Sequence, residues 1–332
     1  MPTKPLTATD PMIQRLRALE KERPELKDTT LIYEAILPVL READLHAGVI
    51  SLTSSQVREK METGEPLLAD LDLDLDGEAV QRLMIRLAAA VEAIGKKRRQ
   101  FWTGLPGFSK ADDFGDTARR VRSALETGKL NINELLPHLA AGSRKQIDAA
   151  ARGLYLDPDL VWTLAQNALK PALRAWCRQL SPLAAEISWN KGICFACGAP
   201  ATLAELQGND QAKHLRCGAC GADWQVRRMQ CAQCGNEDHK TQHYLYAEGR
   251  RDTMRVEVCD ACKGYIKVIA SFSPSPAEMI TIEDLATVHL DALAREQGYV
   301  RMSSEAGEGR STLSGPGSAQ ASAISLGGNV TV

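Results

Sequence analysis

In the stretch EAVQRLMIRLAAAVEAIG, residues 78–95, the apolar positions Val80, Leu83, Met84, Leu87, Ala88, Val91 and Ile94 recur at steps of three and four. That is the period of one helical face, so the stretch predicts an amphipathic helix burying a single stripe. The same period runs through 12–22, 29–45, 115–126 and 158–180. Between these runs lie breaks such as TGLPGFSKADD at 103–113, where Gly and Pro interrupt helix geometry. Strand-like patterns are scarce up to residue 184, and an irregular all-helical domain over 1–184 is expected.

Between about 185 and 270 the texture changes. Short runs rich in β-branched and aromatic residues, ATLAEL, HYLYAE, TMRVEV and YIKVIA, alternate with the turn signals QGND and EGRRD. These predict small hairpins over 185–225 and 226–275. After SPSPAE, the run TIEDLATVHLDALAREQGY starts with Thr281 three residues before Asp284, like a capping box, and ends near Gly298, which predicts one closing helix within 276–302. The Ser-, Gly- and Ala-rich stretch 303–332 carries too little apolar side chain to offset the cost of ordering, so disorder is expected there.

Composition narrows the class. A chain of 332 residues has length for about two domains. At 44% hydrophobic, 25% charged and a formal net charge of -2 it reads as a soluble globular protein without a dominant electrostatic partner. The N-terminus, MPTKPLTATDPMIQ, lacks the apolar core of a signal peptide, and no run approaches the roughly 20 apolar residues of a membrane span, so a cytoplasmic location is expected. Thiols stay reduced there, and nine cysteines, eight of them in CxxC pairs, point to metal rather than disulfides.

The pairs are Cys194/Cys197, Cys217/Cys220, Cys231/Cys234 and Cys259/Cys262. Gly198, Gly221 and Gly235 follow three of them at once, and Gly264 follows the last after one Lys. Two thiolates in a tight turn, with a Gly allowing positive φ so that backbone N–H groups can face sulfur, make a metal knuckle. Intervals of 19 and 24 residues separate the first from the second pair and the third from the fourth, each with room for strands and a turn, close to zinc-ribbon spacing. The eight thiols therefore divide in chain order into two sites, and joining the two inner pairs instead would split both hairpins from their knuckles. Four sulfurs suit either zinc or iron. A closed four-thiolate site has no open position for water or substrate, so the sites read as structural or redox-active rather than hydrolytic.

Other candidates are weaker. DLDLDG (Asp72, Asp74, Asp76, Gly77) begins like a calcium loop, but its twelfth position is Leu83 of the helical stripe, which leaves an acidic connector before a helix. His239 and His243 have no ligand role beside eight thiolates and read as surface residues. Cys177, flanked at helical spacing by Leu173, Trp176 and Leu180, reads as a buried structural thiol. Arg227, Arg228, Arg250 and Arg251 raise a nucleic-acid reading. From Lys191 to Lys267, eleven Lys/Arg face nine Asp/Glu, a balance of +2, and two tetrathiolate sites at -2 each bring the segment to about -2, so no nucleic-acid partner is expected. No GxSxG, HExxH or Walker-type loop occurs, and no catalytic residue is assigned.

The segments ICFACGAP, HLRCGACGADWQVRRMQCAQCG, RVEVCDACKGYIKV and IEDLATVHLDALAREQGYVR, in this order over about 193–301, resemble the FdhE family of formate dehydrogenase accessory proteins. The resemblance implies a multidomain α and α+β fold: an irregular helical N-terminal domain, two tandem rubredoxin-like (zinc-ribbon-like) repeats, and a closing helix. It implies a cytoplasmic, non-catalytic maturation factor that binds the formate dehydrogenase catalytic subunit before export and carries two metal ions, iron of the rubredoxin type or zinc. The eight paired cysteines carry over as ligands. Trp224, Arg228, Glu257, Asp260, Tyr265 and Lys267 carry over as family-like positions, with Trp224, Arg228, Tyr265 and Lys267 expected to face the partner. One departure is Phe195, where the family usually has Pro. The competing classes are a rubredoxin-like electron carrier and a zinc-ribbon nucleic-acid-binding protein.

Overall fold

The computed structural model describes residues 9–302 apart from 44, 46, 72, 103–113, 141, 248 and 251. The break expected at 103–113 and the disorder expected beyond 302 lie outside the described residues. Two compact units emerge, one from the described residues of Met1–Thr53 and Asp70–Leu183, the other from those of Ser54–Ala69 and Ala184–Val332.

The first unit is helical: α1 (Pro11–Glu22), α2 (Lys27–Glu42), α4 (Gly77–Trp102), α5 (Phe114–Glu126), α6 (Ile132–Ala140), α7 (Arg144–Gly153) and α8 (Pro158–Ala184), while α3 (Ser54–Thr63) belongs to the second unit. Local chemistry sets the starts. Asp10 accepts from Met12 N at 2.9 Å ahead of Pro11 at the first turn of α1, and Asp76 accepts from Ala79 N at 2.9 Å at the start of α4. The DLDLDG stretch thus ends as a helix cap, and Asp72 lies outside the described residues.

The predicted stripe of α4 is the heart of this unit. Val80, Leu83, Met84, Leu87, Ala88 and Val91 are buried in one cluster with Val121 and Leu125 of α5 and Val161, Leu164 and Ala168 of α8, and Ile94 is half-buried. Each such aliphatic side chain contributes about 1.5–3 kcal/mol by leaving water. Helices α6 and α7 fall outside the predicted set. Pro137 lies inside α6, and α7 buries only Ile147 and Ala151, too thin a stripe to register as a period. Cys177 is buried on α8, its sulfur 3.6 Å from Ser181 Oγ, as expected of a structural thiol.

The second unit corrects the expectation of a helical domain continuous over 1–184. Its segment 54–69 is tied to the first cysteine knuckle: Leu67 N donates to Phe195 O at 2.7 Å, Leu68 N to Ala196 O at 2.9 Å, and Lys191 Nζ to Gly64 O at 2.9 Å. The strands are β1 (Leu203–Gln207), β2 (Ala212–Arg216), β3 (Asp223–Gln225), β4 (Gln242–Leu245), β5 (Met254–Cys259), β6 (Gly264–Ser271) and β7 (Val300–Arg301). They form one seven-stranded sheet ordered β3-β2-β1-β6-β5-β4, with β7 paired to β6. Each half is an antiparallel meander, and β1 pairs in parallel with the far half of β6 (Ala204↔Val268 to Gln207↔Ser271). The expected small hairpins are therefore halves of one sheet. The single closing helix expected from Thr281 is in fact two, α9 (Met279–Ala286) and α10 (Val288–Glu296), broken at Thr287, whose hydroxyl donates to Glu283 O at 2.7 Å. Gly298, at φ 84°, ends the second as expected.

Side chains alternate across the sheet. Val256 and Val258 of β5 and Tyr265 of β6 pack on Leu290 and Ala294 of α10, and Leu203 and Ile269 pack on Ile280 of α9. The same face also buries charge. Lys267, only 1% exposed, reaches Asp291 Oδ2 at 2.7 Å and Asp284 O at 2.7 Å, while Arg301 reaches Asp284 Oδ1 at 2.7 Å. Farther along, Arg216 pairs with Glu205, which is fully buried, and donates to Ser275 O at 2.6 Å. Gln207 Nε2 bridges Glu205 and Asp223 at 2.9 and 3.0 Å. Buried charges survive only when paired and hydrogen-bonded. Glu205→Ala leaves the Arg216 guanidinium with one carboxylate fewer in the interior, and a loss of about 3 kcal/mol is expected. Denaturant midpoints of metal-loaded protein check it, and joint replacement of Glu205 and Arg216 by Leu and Met is expected to cost less than Glu205→Ala alone.

Candidate metal centres

Three of the four knuckles close in the same way. Cys194, Cys217 and Cys231 each donate their N–H to the carbonyl five residues on (Ala199, Ala222, Asn236) at 2.8–3.0 Å. Gly198, Gly221 and Gly235 each return an N–H to the first cysteine's carbonyl at 2.9–3.0 Å, with φ of 73–80°. In the fourth knuckle the equivalent position, four residues after Cys259, is Lys263, at φ 56°. The spacing from the first cysteine would have located it. Gly264, read from sequence as the conformational glycine, serves another purpose. A Cβ there would stand 2.1 Å from Gln233 Oε1 and 3.0 Å from Cys262 Sγ. Gln233 Nε2 in turn donates to Tyr265 O at 3.0 Å and Val300 O at 3.2 Å, holding the third knuckle to β6 and β7.

The thiols fall into two groups in chain order, Cys194, Cys197, Cys217 and Cys220 in one and Cys231, Cys234, Cys259 and Cys262 in the other, with the sulfurs of each within 4.8 Å of one another. In both, the first cysteine of one knuckle lies nearest the second of the other. Cys194–Cys220 is 3.4 Å and Cys197–Cys217 is 3.6 Å, while Cys231–Cys262 is 3.8 Å and Cys234–Cys259 is 3.9 Å. Sulfurs 2.3 Å from a central ion at tetrahedral corners stand about 3.8 Å apart, so both groups fit a four-thiolate ion. Backbone N–H groups face the sulfurs, Gln233 N at 3.4 Å from Cys231 Sγ and Gly264 N at 3.3 Å from Cys262 Sγ, as the knuckle reading expects.

The thiols titrate unequally for a physical reason. In the second group burial pushes Cys231 up to about 11. Burial also opposes ionisation of Cys259, but the N–H groups of Cys262 and Ala261 and the Asn236 amide bring it down to about 7. Burial pushes Cys262 well up, with the Cys231 and Cys259 charges adding to it. Several thiolates so close repel one another, and only a cation reverses that.

The two groups differ in cover. Cys194, Cys217 and Cys220 are buried, whereas Cys234 and Cys262 are exposed and only Cys259 is buried in the second group. Over the first, Phe195 meets Trp224 edge-on with centroids 6.3 Å apart, and Trp224 Nε1 donates to Lys191 O at 3.0 Å. Phe195 thus fills the interior at the position where the sequence departs from the family pattern. Beside the second, Asp260 accepts from Lys263 Nζ at 2.6 Å and from Tyr299 OH at 3.0 Å, and lies 2.8 Å from His243 Nε2. Lys263, Tyr299 and His243 hold its carboxyl down at about 2. His243 is thus engaged with a carboxylate, and His239 opens a short 3-10 turn.

A family model described as FdhE, C-terminal domain, matches residues 229–306 of the chain. A protein named Protein FdhE homolog from Aquifex aeolicus (strain VF5) is 24% identical over 273 residues, 80% of this chain and 90% of that one. Protein FdhE from Shigella boydii serotype 18 is 30% identical over 294 residues, 87% of this chain and 84% of that one. The chain belongs to the FdhE family. The crystal structure of the FdhE protein from Pseudomonas aeruginosa shares the fold, with a TM-score of 0.53 at 21% identity over 87% of this chain and 91% of that one.

Of the FdhE-like positions expected to face a partner, three are interior. Trp224 is buried against Phe195, the Tyr265 hydroxyl donates to Asp291 at 2.8 Å, and Lys267 is enclosed by Asp284 and Asp291. These are corrections: aromatic rings and an ammonium fully used inside offer no surface to another chain. Arg228 alone is exposed, donating to Gln211 Oε1 at 3.0 Å. Glu257 is half-buried, accepting from Lys213 and Arg255.

Two outcomes are expected. Gly264→Ala forces Gln233 and Cys262 apart and is expected to lower metal content at the second group, whereas Lys263→Gly relieves a left-handed residue and retains the ion; elemental analysis of the purified variants distinguishes them. Loading must also displace protons from Cys231 and Cys262, both raised, while Cys259 ionises near 7. Between pH 7 and about 11 affinity for the ion therefore rises with pH, roughly tenfold per unit for each displaced proton, as competition against a coloured chelator at pH 7, 8 and 9 will show.

Proposed function

We propose that this FdhE-family protein is an accessory maturation factor for formate dehydrogenase that binds the catalytic subunit in the cytoplasm, with one iron or zinc ion in each four-cysteine group. The observation that carries it is the pair of four-thiol groups, each compact enough for one ion, at the strands of one sheet. Four thiolates fill the coordination of either ion, so the groups stabilise or carry charge but leave no position at which substrate is polarised. Structural ions of this type supply on the order of 10 kcal/mol of folding free energy. Membership of the FdhE family, together with a donor set that leaves no open coordination position, supports an assembly role. No helix among the described residues is long and apolar enough to cross a membrane.

The exposure of Cys234 and Cys262 favours a second reading, a rubredoxin-like electron carrier, since electron exchange needs an ion close to the surface. Visible absorbance that bleaches reversibly with reductant is required by that reading, and a colourless protein with two zinc ions excludes it. The nucleic-acid reading draws no such support: Arg227 is paired with Glu237, and Arg228 is engaged by the Gln211 side chain and the Asp210 carbonyl.

The catalytic subunit of formate dehydrogenase is expected to co-purify with the tagged protein and to mature in its presence. Cys231→Ser is expected to lose one ion per chain and to abolish partner maturation. A variant that lost its ion yet matured the partner normally would show the metal to be irrelevant to function.

A further inference from the structure

Both groups are built from two CxxC knuckles with the same crossed sulfur pairs, yet their surroundings differ. The first is roofed by a segment remote in sequence. Leu67 and Leu68, both buried, bring their N–H groups to the carbonyls of Phe195 and Ala196 inside the first knuckle. Pro66 packs over Gly198, with its Cγ 3.1 Å from where a Cβ would be. From the other side Thr202 Oγ1 accepts from Gly218 N at 2.8 Å inside the second knuckle. Three of its four cysteines are consequently buried.

The second group is covered less: Gly192 lies against Ala232 of its first knuckle and against Met302, but that cover does not reach the outer sulfurs. Its outer cysteines, one from each knuckle, are exposed, and Cys231 is half-buried. On its inner side lies a cavity of about 10 Å³ lined by Cys231, Cys259, Gln233, Gln242 and Glu257 among others, the size that one water needs. An incoming ligand can therefore reach two sulfurs from outside.

We propose that Cys231, Cys234, Cys259 and Cys262 form the exchanging metal site of this chain, at which an ion is taken up from or surrendered to a thiol-bearing ligand, while Cys194, Cys197, Cys217 and Cys220 form a fixed structural site. Exchange begins at Cys234 and Cys262. Each of their thiolates that is displaced takes one proton from water, and each incoming thiol releases one on binding, so charge and protons balance. No oxidant is needed. The inference rests on the metal-holding part of the proposed function and is independent of the partner.

The test uses the full chain loaded with two zinc ions and challenged with excess 4-(2-pyridylazo)resorcinol, with and without dithiothreitol as the thiol probe. Release in two phases of one ion each is expected, the first at least tenfold faster and accelerated by the thiol. Brief iodoacetamide treatment during the fast phase, followed by peptide mass mapping, is expected to label Cys234 and Cys262 ahead of Cys194, Cys217 and Cys220. Cys262→Ser is expected to retain one ion and show only the slow phase, and the mapping on the unsubstituted chain decides the matter should that variant not fold. Release of both ions at one rate, or labelling of the first group during the fast phase, overturns the inference. Failure of either group to take up an ion at all overturns the metal reading itself.

Discussion

Sulfurs gathered in fours within 4.8 Å of one another, with nearest pairs 3.4–3.9 Å apart, are the constraint from which the second unit follows. Ionised together without a cation they repel, and protonated they bind nothing. Burial raises Cys231 and Cys262, neighbouring thiolate charge adds to it, and backbone N–H groups lower Cys259. A divalent ion resolves the conflict by making all four thiolates favourable at once, and the free energy released becomes folding free energy. Strands of three to six residues, as β1 to β5 are, are short for independent stability. Knuckles locked by an ion at the ends of such strands supply what their length does not.

The same rule, that charge enters the interior only with its partner, governs the sheet that connects the two groups. Pairing β1 in parallel with β6 joins two meanders edge to edge and removes two edges from solvent. The face beneath α9 and α10 then holds Lys267 with Asp284 and Asp291, and Arg216 with Glu205, alongside Val256, Val258 and Ile269. Such pairs contribute less to net stability than apolar side chains of the same volume. Their value lies in register: Lys267 meets both carboxylates only when β6, α9 and α10 are correctly aligned.

What the sequence made legible was local. The three-and-four period of α4 named its buried residues almost completely, because one stripe against one core leaves a direct imprint on composition. The knuckles were equally plain, since ligation restricts residue type at fixed spacing, and chain-order grouping followed from the hairpins between them. Nonlocal features left no such imprint. A parallel pairing such as Ala204 with Val268, far apart in sequence, is invisible to periodicity, as is the attachment of segment 54–69 to a knuckle beginning at Cys194. Lys267 misled for a related reason. The resemblance carried it over as partner-facing, and only the two aspartates brought by the helices after β6 make its burial possible.

Those nonlocal features also separate two sites that ligand chemistry would call equal. The donor sets are identical, four thiolates each, and three of the knuckles share every backbone hydrogen bond that closes them. The difference enters through chain topology. A stretch that in sequence lies inside the helical half, 54–69, folds over the first group, while β7 and the Asp260 cluster beside the second leave Cys234 and Cys262 exposed. Burial strengthens the hold on an ion by excluding competing ligands and water, and exposure weakens it. One repeat of the same motif is thereby made permanent and the other accessible without altering a single ligand, which is how a tandem duplication can acquire two duties while each half keeps the residues its fold requires.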